Sequence, residues 1–167
     1  MKKILVTGSQ GFIGSYICNE LLDNGYNVVG IDNYSKYGKL SRPHDNHKNF
    51  TFYEMNVLDK KYLEIFEIEK PNIVIAGAAM IGGISYFHKY AYDLLAENER
   101  IFASSFDAAI WAHKNAKLKK IVVVSSSMVF ENTRIYPTPE SEVSNCPPPD
   151  STYGFQKLAT EYFCRGA

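Results

Sequence analysis

The sequence has no excess charge of either sign: its 167 residues carry 18 basic and 18 acidic side chains, a formal net charge of zero. That balance removes the attraction that nucleic acid or an anionic membrane surface would exert, so neither is expected as a partner. Long apolar runs are missing too, and nothing approaches the roughly 20 residues a membrane helix needs. The opening Met1–Val6 resembles a secretory leader only at Lys2 and Lys3, before Thr7 and Gly8 interrupt it. Cysteine is scarce. Cys18, Cys146 and Cys164 stand far apart, which excludes a disulfide framework and a zinc-ligand spacing, so no metal is expected. Free thiols fit a reducing compartment, and the cytoplasm is the expected location.

What is present is an ordinary globular composition, 46% hydrophobic. The length suffices for one domain with a sizeable core. Apolar runs at 3–6, 28–31, 50–55, 73–75 and 121–124 predict five strands. Between them, Ile13, Ile17 and Leu21 recur every fourth residue, and Asn24-Gly25 closes that helix. Asp59 is the expected cap of a short helix through Ile68. Leu94, Ile101, Phe102, Phe106, Ala109 and Ile110 mark a long helix over 90–116. Residues 33–48 and the proline-rich 131–151 are expected to be loops, and a last helix begins at Tyr153. Alternating strands and helices predict an α/β fold, a doubly wound Rossmann-like parallel sheet covered on both faces.

The first strand leads into Thr7-Gly8-Ser9-Gln10-Gly11-Phe12-Ile13-Gly14, which opens a helix. This is the context a dinucleotide fingerprint requires. Gly8 permits the tight turn, Gly11 lets backbone approach a pyrophosphate, and Gly14 lets helix and strand pack closely. Helix-start amides then face the anion. Asp32 ends the second strand, ~20 residues on, where a carboxylate accepts both ribose hydroxyls and repels a 2′-phosphate. It therefore favours NAD over NADP. The plain alternatives are a ligand-free glycine turn and a surface aspartate.

The glycines, the run Ser125-Ser126-Ser127 after the fifth strand, and Tyr153-Gly154-Phe155-Gln156-Lys157 together resemble the extended short-chain dehydrogenase/reductase family, in its NAD-dependent epimerase/dehydratase branch. The resemblance runs through the whole chain in order. It implies that Tyr153 takes the proton from a sugar hydroxyl while hydride leaves for NAD, that Lys157 supports it and binds the nicotinamide ribose, and that Ser126 positions the reacting oxygen. Physically, Tyr153 and Lys157 lie four apart on one helix face. A free tyrosine titrates near ~10, and a neighbouring ammonium favours the phenolate. Without the cofactor motif the same residues would read as a strand end, a packed aromatic and a solvated lysine.

The resemblance also assigns contacts. Phe12 and Ile13 would lie by the pyrophosphate and Asn33 by the adenosine ribose. Asn56 and Val57 would lie against adenine, with Asn56 standing where the family usually has Asp. Gly77, Ala78 and Ala79 would let the cofactor pass. Asn98 matches a cofactor-contacting asparagine of the long helix, whose plain alternative is a solvated mid-helix residue. Gly82 and Gly83 resemble the branch holding GDP-mannose 3,5-epimerase and GDP-fucose synthase, and with Ser126 and Ser127 they are the candidate substrate contacts. Met128 stands where that branch carries a working cysteine, so 3,5-epimerisation is not expected. Cys146 and Cys164 do not align with that place, and His88 is a loop histidine.

The expected function is a nucleotide-sugar epimerase or dehydratase using bound NAD and transient hydride transfer. An NAD(P)H-dependent nucleotide-sugar reductase and a non-catalytic NAD-binding module are the alternatives. Residues 1–167 are expected to be an incomplete cofactor domain whose substrate domain is absent, with little catalysis of its own. The family implies a homodimer through the long helix and the Tyr153 helix, and 121–124 is expected to be an edge strand.

Overall fold

The computed structural model describes residues 2–167, the side chain of Ile84 aside. The chain forms two compact units, Met1–Ala79 with Ala103–Val123, and Met80–Phe102 with Val124–Ala167.

The first unit holds five parallel strands, β1 (Lys3–Thr7), β2 (Asn27–Asp32), β3 (Phe50–Glu54), β4 (Ile73–Ala76) and β5 (Lys120–Val123). Their order is β3-β2-β1-β4-β5. The expected doubly wound sheet is therefore present, with β1 central. The chain reverses its direction of travel across the sheet between β1 and β4, and ligands of such sheets bind beyond the carboxyl ends of the strands at that switch. Register runs Lys3 opposite Asn27 and Ile4 opposite Ile73.

Helix α1 (Phe12–Asp23) buries Gly14, Ser15, Cys18 and Leu22. Cys18 and Leu22 pack with Ile4, Val6 and Val28, joined at the rim by Ile17, Leu21 and Phe50. Burial, with Asp32 second, pushes the Cys18 thiol up to about 12, so it behaves as a small apolar residue. Gly25 follows α1 at φ +80°, the left-handed stop expected of Asn24-Gly25. At the other end of the sheet, burial works against charge on Glu69, but bonds from Lys3 Nζ (2.7 Å) and Tyr53 (2.6 Å) hold its carboxyl below the usual range.

Three local expectations need correction. Helix α2 spans Tyr62–Glu69, three residues later than Asp59, and its cap position is Lys61, with no side-chain capping bond. Asp59 instead closes the preceding turn, its Oδ2 accepting from Asn56 N at 2.9 Å. Residues 84–89 form a short helix, α3 (Ile84–Lys89), which the paired glycines had concealed. Within the expected loop 131–151, Glu140–Ser144 forms a 3₁₀ turn. The long helix α4 (Ala91–Asn115) and the last helix α5 (Thr152–Gly166) match the reading within one or two residues. Strand β5 lies at a sheet edge, with Val122 37% exposed. No helix of the described residues is long and apolar enough to cross a membrane.

Candidate functional site

In the first unit, the turn after β1 is built by close backbone approach. Gly8 adopts φ +72°, and a Cβ there would meet Gly77 C and O at 2.9 Å. A Cβ on Gly14 would lie 2.0 Å from Gly8 O. Gly8 N donates to Ile31 O at 2.8 Å. Thr7 Oγ1 accepts from Gly77 N and Ala78 N, each at 3.1 Å, joining the ends of β1 and β4. The post-β4 residues Gly77 and Ala78 thus sit against the glycine turn.

Gly11 precedes α1 without a side-chain cap, and Ser15 N donates to Gly11 O at 3.0 Å. The amides of the first turn are thus left to an external acceptor. Phe12 and Ile13 stand 65% and 54% exposed around them. Asp32 closes the other side. Its Oδ2 accepts from Gln10 N (3.0 Å) and its Oδ1 from Tyr34 N (2.7 Å). Each carboxylate oxygen keeps a further lone pair for a diol. Gln10, Gly11, Asp32, Tyr34 and Gly38 line a shallow open cleft here. Asn33 is exposed and closes a local turn, its Oδ1 accepting from Ser35 N. These residues fit a dinucleotide. The turn admits no side chain where the backbone must come close, uncapped helix amides suit a pyrophosphate, and the carboxylate suits a ribose without a 2′-phosphate.

Beyond β3, Asn56 Oδ1 accepts from Leu58 N at 3.0 Å, and Val57 is buried, its carbonyl accepting from Ser104 Oγ at 2.6 Å. Ala79 ends the first segment of this unit and is half-buried.

The second unit carries the serine, tyrosine and lysine. Ser126 lies in extended backbone and caps a 3₁₀ turn, Ser127–Phe130, its Oγ accepting from Met128 N at 3.2 Å. The hydroxyl accepts in that bond and keeps its own proton to donate. Ser125 Oγ donates to Glu161 at 2.6 Å, whereas Ser127 is exposed. Helix α5 begins against that turn. A Cβ on Gly154 would meet Met128 O at 2.7 Å, so only glycine lets Tyr153 approach the serine turn so closely. Ser151 caps α5 by accepting from Gly154 N at 3.0 Å, and is itself held by Glu131 Oε2 (2.9 Å to its N, 2.8 Å to its Oγ).

Lys157 is 4% exposed. Its Nζ donates to Val124 O at 2.7 Å and lies 5.6 Å from the ring centre of Phe102 and 5.9 Å from that of Tyr153. Burial lowers its pKa from the ordinary lysine value. Tyr153 stacks on Phe87 of α3, centroids 4.4 Å apart and planes 8° from parallel.

Asn98 is buried, and both ends of its amide meet one residue. Its Oδ1 accepts from Met80 N (2.7 Å) and its Nδ2 donates to Met80 O (2.9 Å). It therefore anchors the segment leading to Gly82 and Gly83 and does not face water. Gly83 caps α3, and a Cβ on Gly82 would collide with the Tyr86 ring at 2.3 Å. His88 is exposed on α3. Sequence reasoning missed Phe87, Glu131, Gln10 and Arg42. Only Gln10 had a signal, its place inside the glycine run. No described group of His, Cys, Asp and Glu could hold a metal.

The chain resembles nucleotide-sugar epimerases over nearly its whole length. It is 31% identical to an uncharacterized UDP-glucose epimerase of Bacillus subtilis, YtcB, across 97% of this chain and 50% of that protein. Among solved structures, the UDP-glucose 4-epimerase of Thermotoga maritima with UDP-glucose is 32% identical, with a TM-score of 0.78 over 98% of this chain and 51% of that one. The UDP-glucose 4-epimerase of Brucella ovis, in complex with NAD, is 25% identical with a TM-score of 0.80, over 99% and 47%. The chain spans about half the length of the curated relatives it matches. A family model covers residues 4–167, and by that match the chain belongs to the NAD dependent epimerase/dehydratase family.

Proposed function

We propose that this chain is the cofactor-binding part of a nucleotide-sugar epimerase or dehydratase that oxidises its sugar transiently and then reduces it again. The observation that carries this reading is the buried Lys157 ammonium beside the Tyr153 ring, at the helix start that Gly154 seats on the Ser126 turn. Gly8, Gly11, Gly14, Phe12 and Ile13 would hold the pyrophosphate, and Asp32 and Asn33 the adenosine ribose. Asn56 and Val57 would bound the adenine, Gly77, Ala78 and Ala79 the passage between. NAD, when bound, supplies a reversible acceptor for hydride from a sugar carbon.

The chain's own residues do the proton work. Tyr153 takes the proton from the sugar hydroxyl through its phenolic oxygen. Ser126 donates a hydrogen bond to the same oxygen. Lys157, a cation whose Nζ lies 5.9 Å from the centre of the phenol ring, supports it and would reach the nicotinamide ribose. Asn98 acts through Met80, holding the segment that carries Gly82 and Gly83 toward the sugar. Ser127 is exposed where a substrate hydroxyl could be met. The substrate class is a nucleoside-diphosphate sugar, the class that the related UDP-glucose 4-epimerases are named for.

Residues 1–167 form an NAD-binding domain to which a separate substrate-binding domain belongs. The assembly is a homodimer through α4 and α5. Phe155 and Tyr162, seven residues apart on α5, and Tyr92 on α4 are exposed aromatics that such an interface would cover. The cytoplasm suits this chemistry and the free thiols.

The test is turnover by the whole protein on UDP- and GDP-sugars. The reading expects an isomerised or dehydrated sugar with no net cofactor consumption. Steady loss of reduced cofactor with a reduced sugar would instead establish a reductase.

A further inference from the structure

Gln10 lies inside the glycine turn, and every polar group on its backbone and its amide nitrogen is tied. Its N donates to Asp32 Oδ2 at 3.0 Å. Its carbonyl accepts two bonds from the Arg42 guanidinium, 2.6 Å from one terminal nitrogen and 3.1 Å from Nε. Its Nε2 donates to Asp45 Oδ1 at 3.0 Å. Asp45 then closes the circuit, its Oδ2 accepting from Arg42 N at 2.7 Å. Three residues thus form a closed ring: Gln10 to Asp45, Asp45 to Arg42, Arg42 back to Gln10. Beside it His44 is fully buried, its ring centre 4.6 Å from that of Phe50 at a steep angle.

We propose that the Gln10–Arg42–Asp45 ring is a positioning device for the adenosine half of the cofactor. It fixes residue Gln10 on both sides, through its carbonyl and its side-chain amide, and so fixes the N–H that holds the carboxylate a ribose diol would meet. This rests on the reading of Asp32 as the ribose acceptor. The ring joins the phosphate turn to the loop 33–48, an irregular segment with no helix or strand of its own. Closing it orders both walls of the cleft before the ligand arrives, which lowers the ordering cost of binding. A charged donor on a carbonyl and a charged acceptor on an amide are the stronger kind of hydrogen bond. Because the ring closes on itself, cutting it at one place releases the rest.

Titration calorimetry with ADP-ribose, on the wild type and on Asp32→Ala, Arg42→Ala, Asp45→Ala, Arg42→Lys and the Arg42→Ala/Asp45→Ala double variant, tests this. Wild type binds, and Asp32→Ala binds far more weakly. Each ring single loses about ten-fold, the worth of one charge-assisted bond. The double loses no more than the worse single, and Arg42→Lys, which can still donate to the Gln10 carbonyl, recovers part of the loss. Arg42 and Asp45 are not buried, and unfolding midpoints without ligand stay within the wild-type range. Ring singles that bind like wild type, or losses that multiply in the double, overturn the ring while leaving Asp32 as the ribose acceptor. ADP-ribose binding that ignores Asp32→Ala overturns the underlying reading, and this inference with it.

Discussion

The rings of Phe87 and Tyr153 lie face to face, 4.4 Å between centroids and 8° from parallel. One face of the phenol is therefore covered by a hydrocarbon ring from α3, and reactants must come to its edge or its other face. Tyr153→Phe keeps that stack and removes only the hydroxyl. It should leave stability within about 0.5 kcal/mol and lower turnover by about 10²–10⁴. Phe87→Ala should do the reverse in kind, weakening the fold of α3 locally while leaving the phenol chemistry slower but present. Steady-state kinetics beside thermal melts separate the two.

Lys157 is a buried cation with one carbonyl partner, Val124 O. Burial lowers its pKa, so the charged form is disfavoured by folding. The sign follows: the unfolded chain binds that proton more tightly, and the penalty is full below the folded pKa. It is relieved as pH rises from there toward the ordinary value near ~10.4. Lys157→Met removes the penalty. Its stability should no longer rise across that alkaline window, while turnover falls sharply. Denaturant titrations at several alkaline pH values measure the slope.

His44 titrates on the acid side. Burial, first of all, lowers its pKa, with Arg42 adding and Asp45 opposing. Protonation is then easier in the unfolded chain, so stability is lost as pH falls below ~6.5 toward the folded value. His44→Gln should flatten that slope. A slope equal to wild type would assign the acid sensitivity to other groups, Glu69 among them.

Two glycines predict opposite severities. Gly14→Ala places a Cβ 2.0 Å from Gly8 O, a backbone clash that cannot relax cheaply. It should cost about 3 kcal/mol or more and abolish cofactor binding. Gly25→Ala meets nothing within 4 Å and carries only the strain of φ +80°. It should cost about 1–2 kcal/mol and leave binding intact. Melts with and without NAD distinguish them.

The parts of the fold with local signals were readable. Continuous apolar strands announced a buried parallel sheet, and Gly8, Gly11 and Gly14 announced the turn, because each rule depends on neighbouring residues. That Tyr153 and Lys157 share one helix was readable for the same reason, the two lying one turn apart. The rest depends on contacts far apart in sequence. Arg42 meets Gln10 across a separation of 32 residues, and no spacing rule points to it. Phe87 was hidden in a segment whose glycines suggested a loop, yet Gly83 begins a helix there. Asp59 had the chemistry of a cap, but its side chain was taken by the turn at Asn56. Asn98 showed its residue type but not its partner, Met80.

Affinity for NAD and for NADP, measured on wild type and on Asp32→Ala, tests the central claim most directly. The account predicts that wild type prefers NAD by ten-fold or more, about 1.4 kcal/mol, and that Asp32→Ala loses NAD affinity while NADP binding holds or improves. Equal affinities in wild type, unchanged by the substitution, would contradict it.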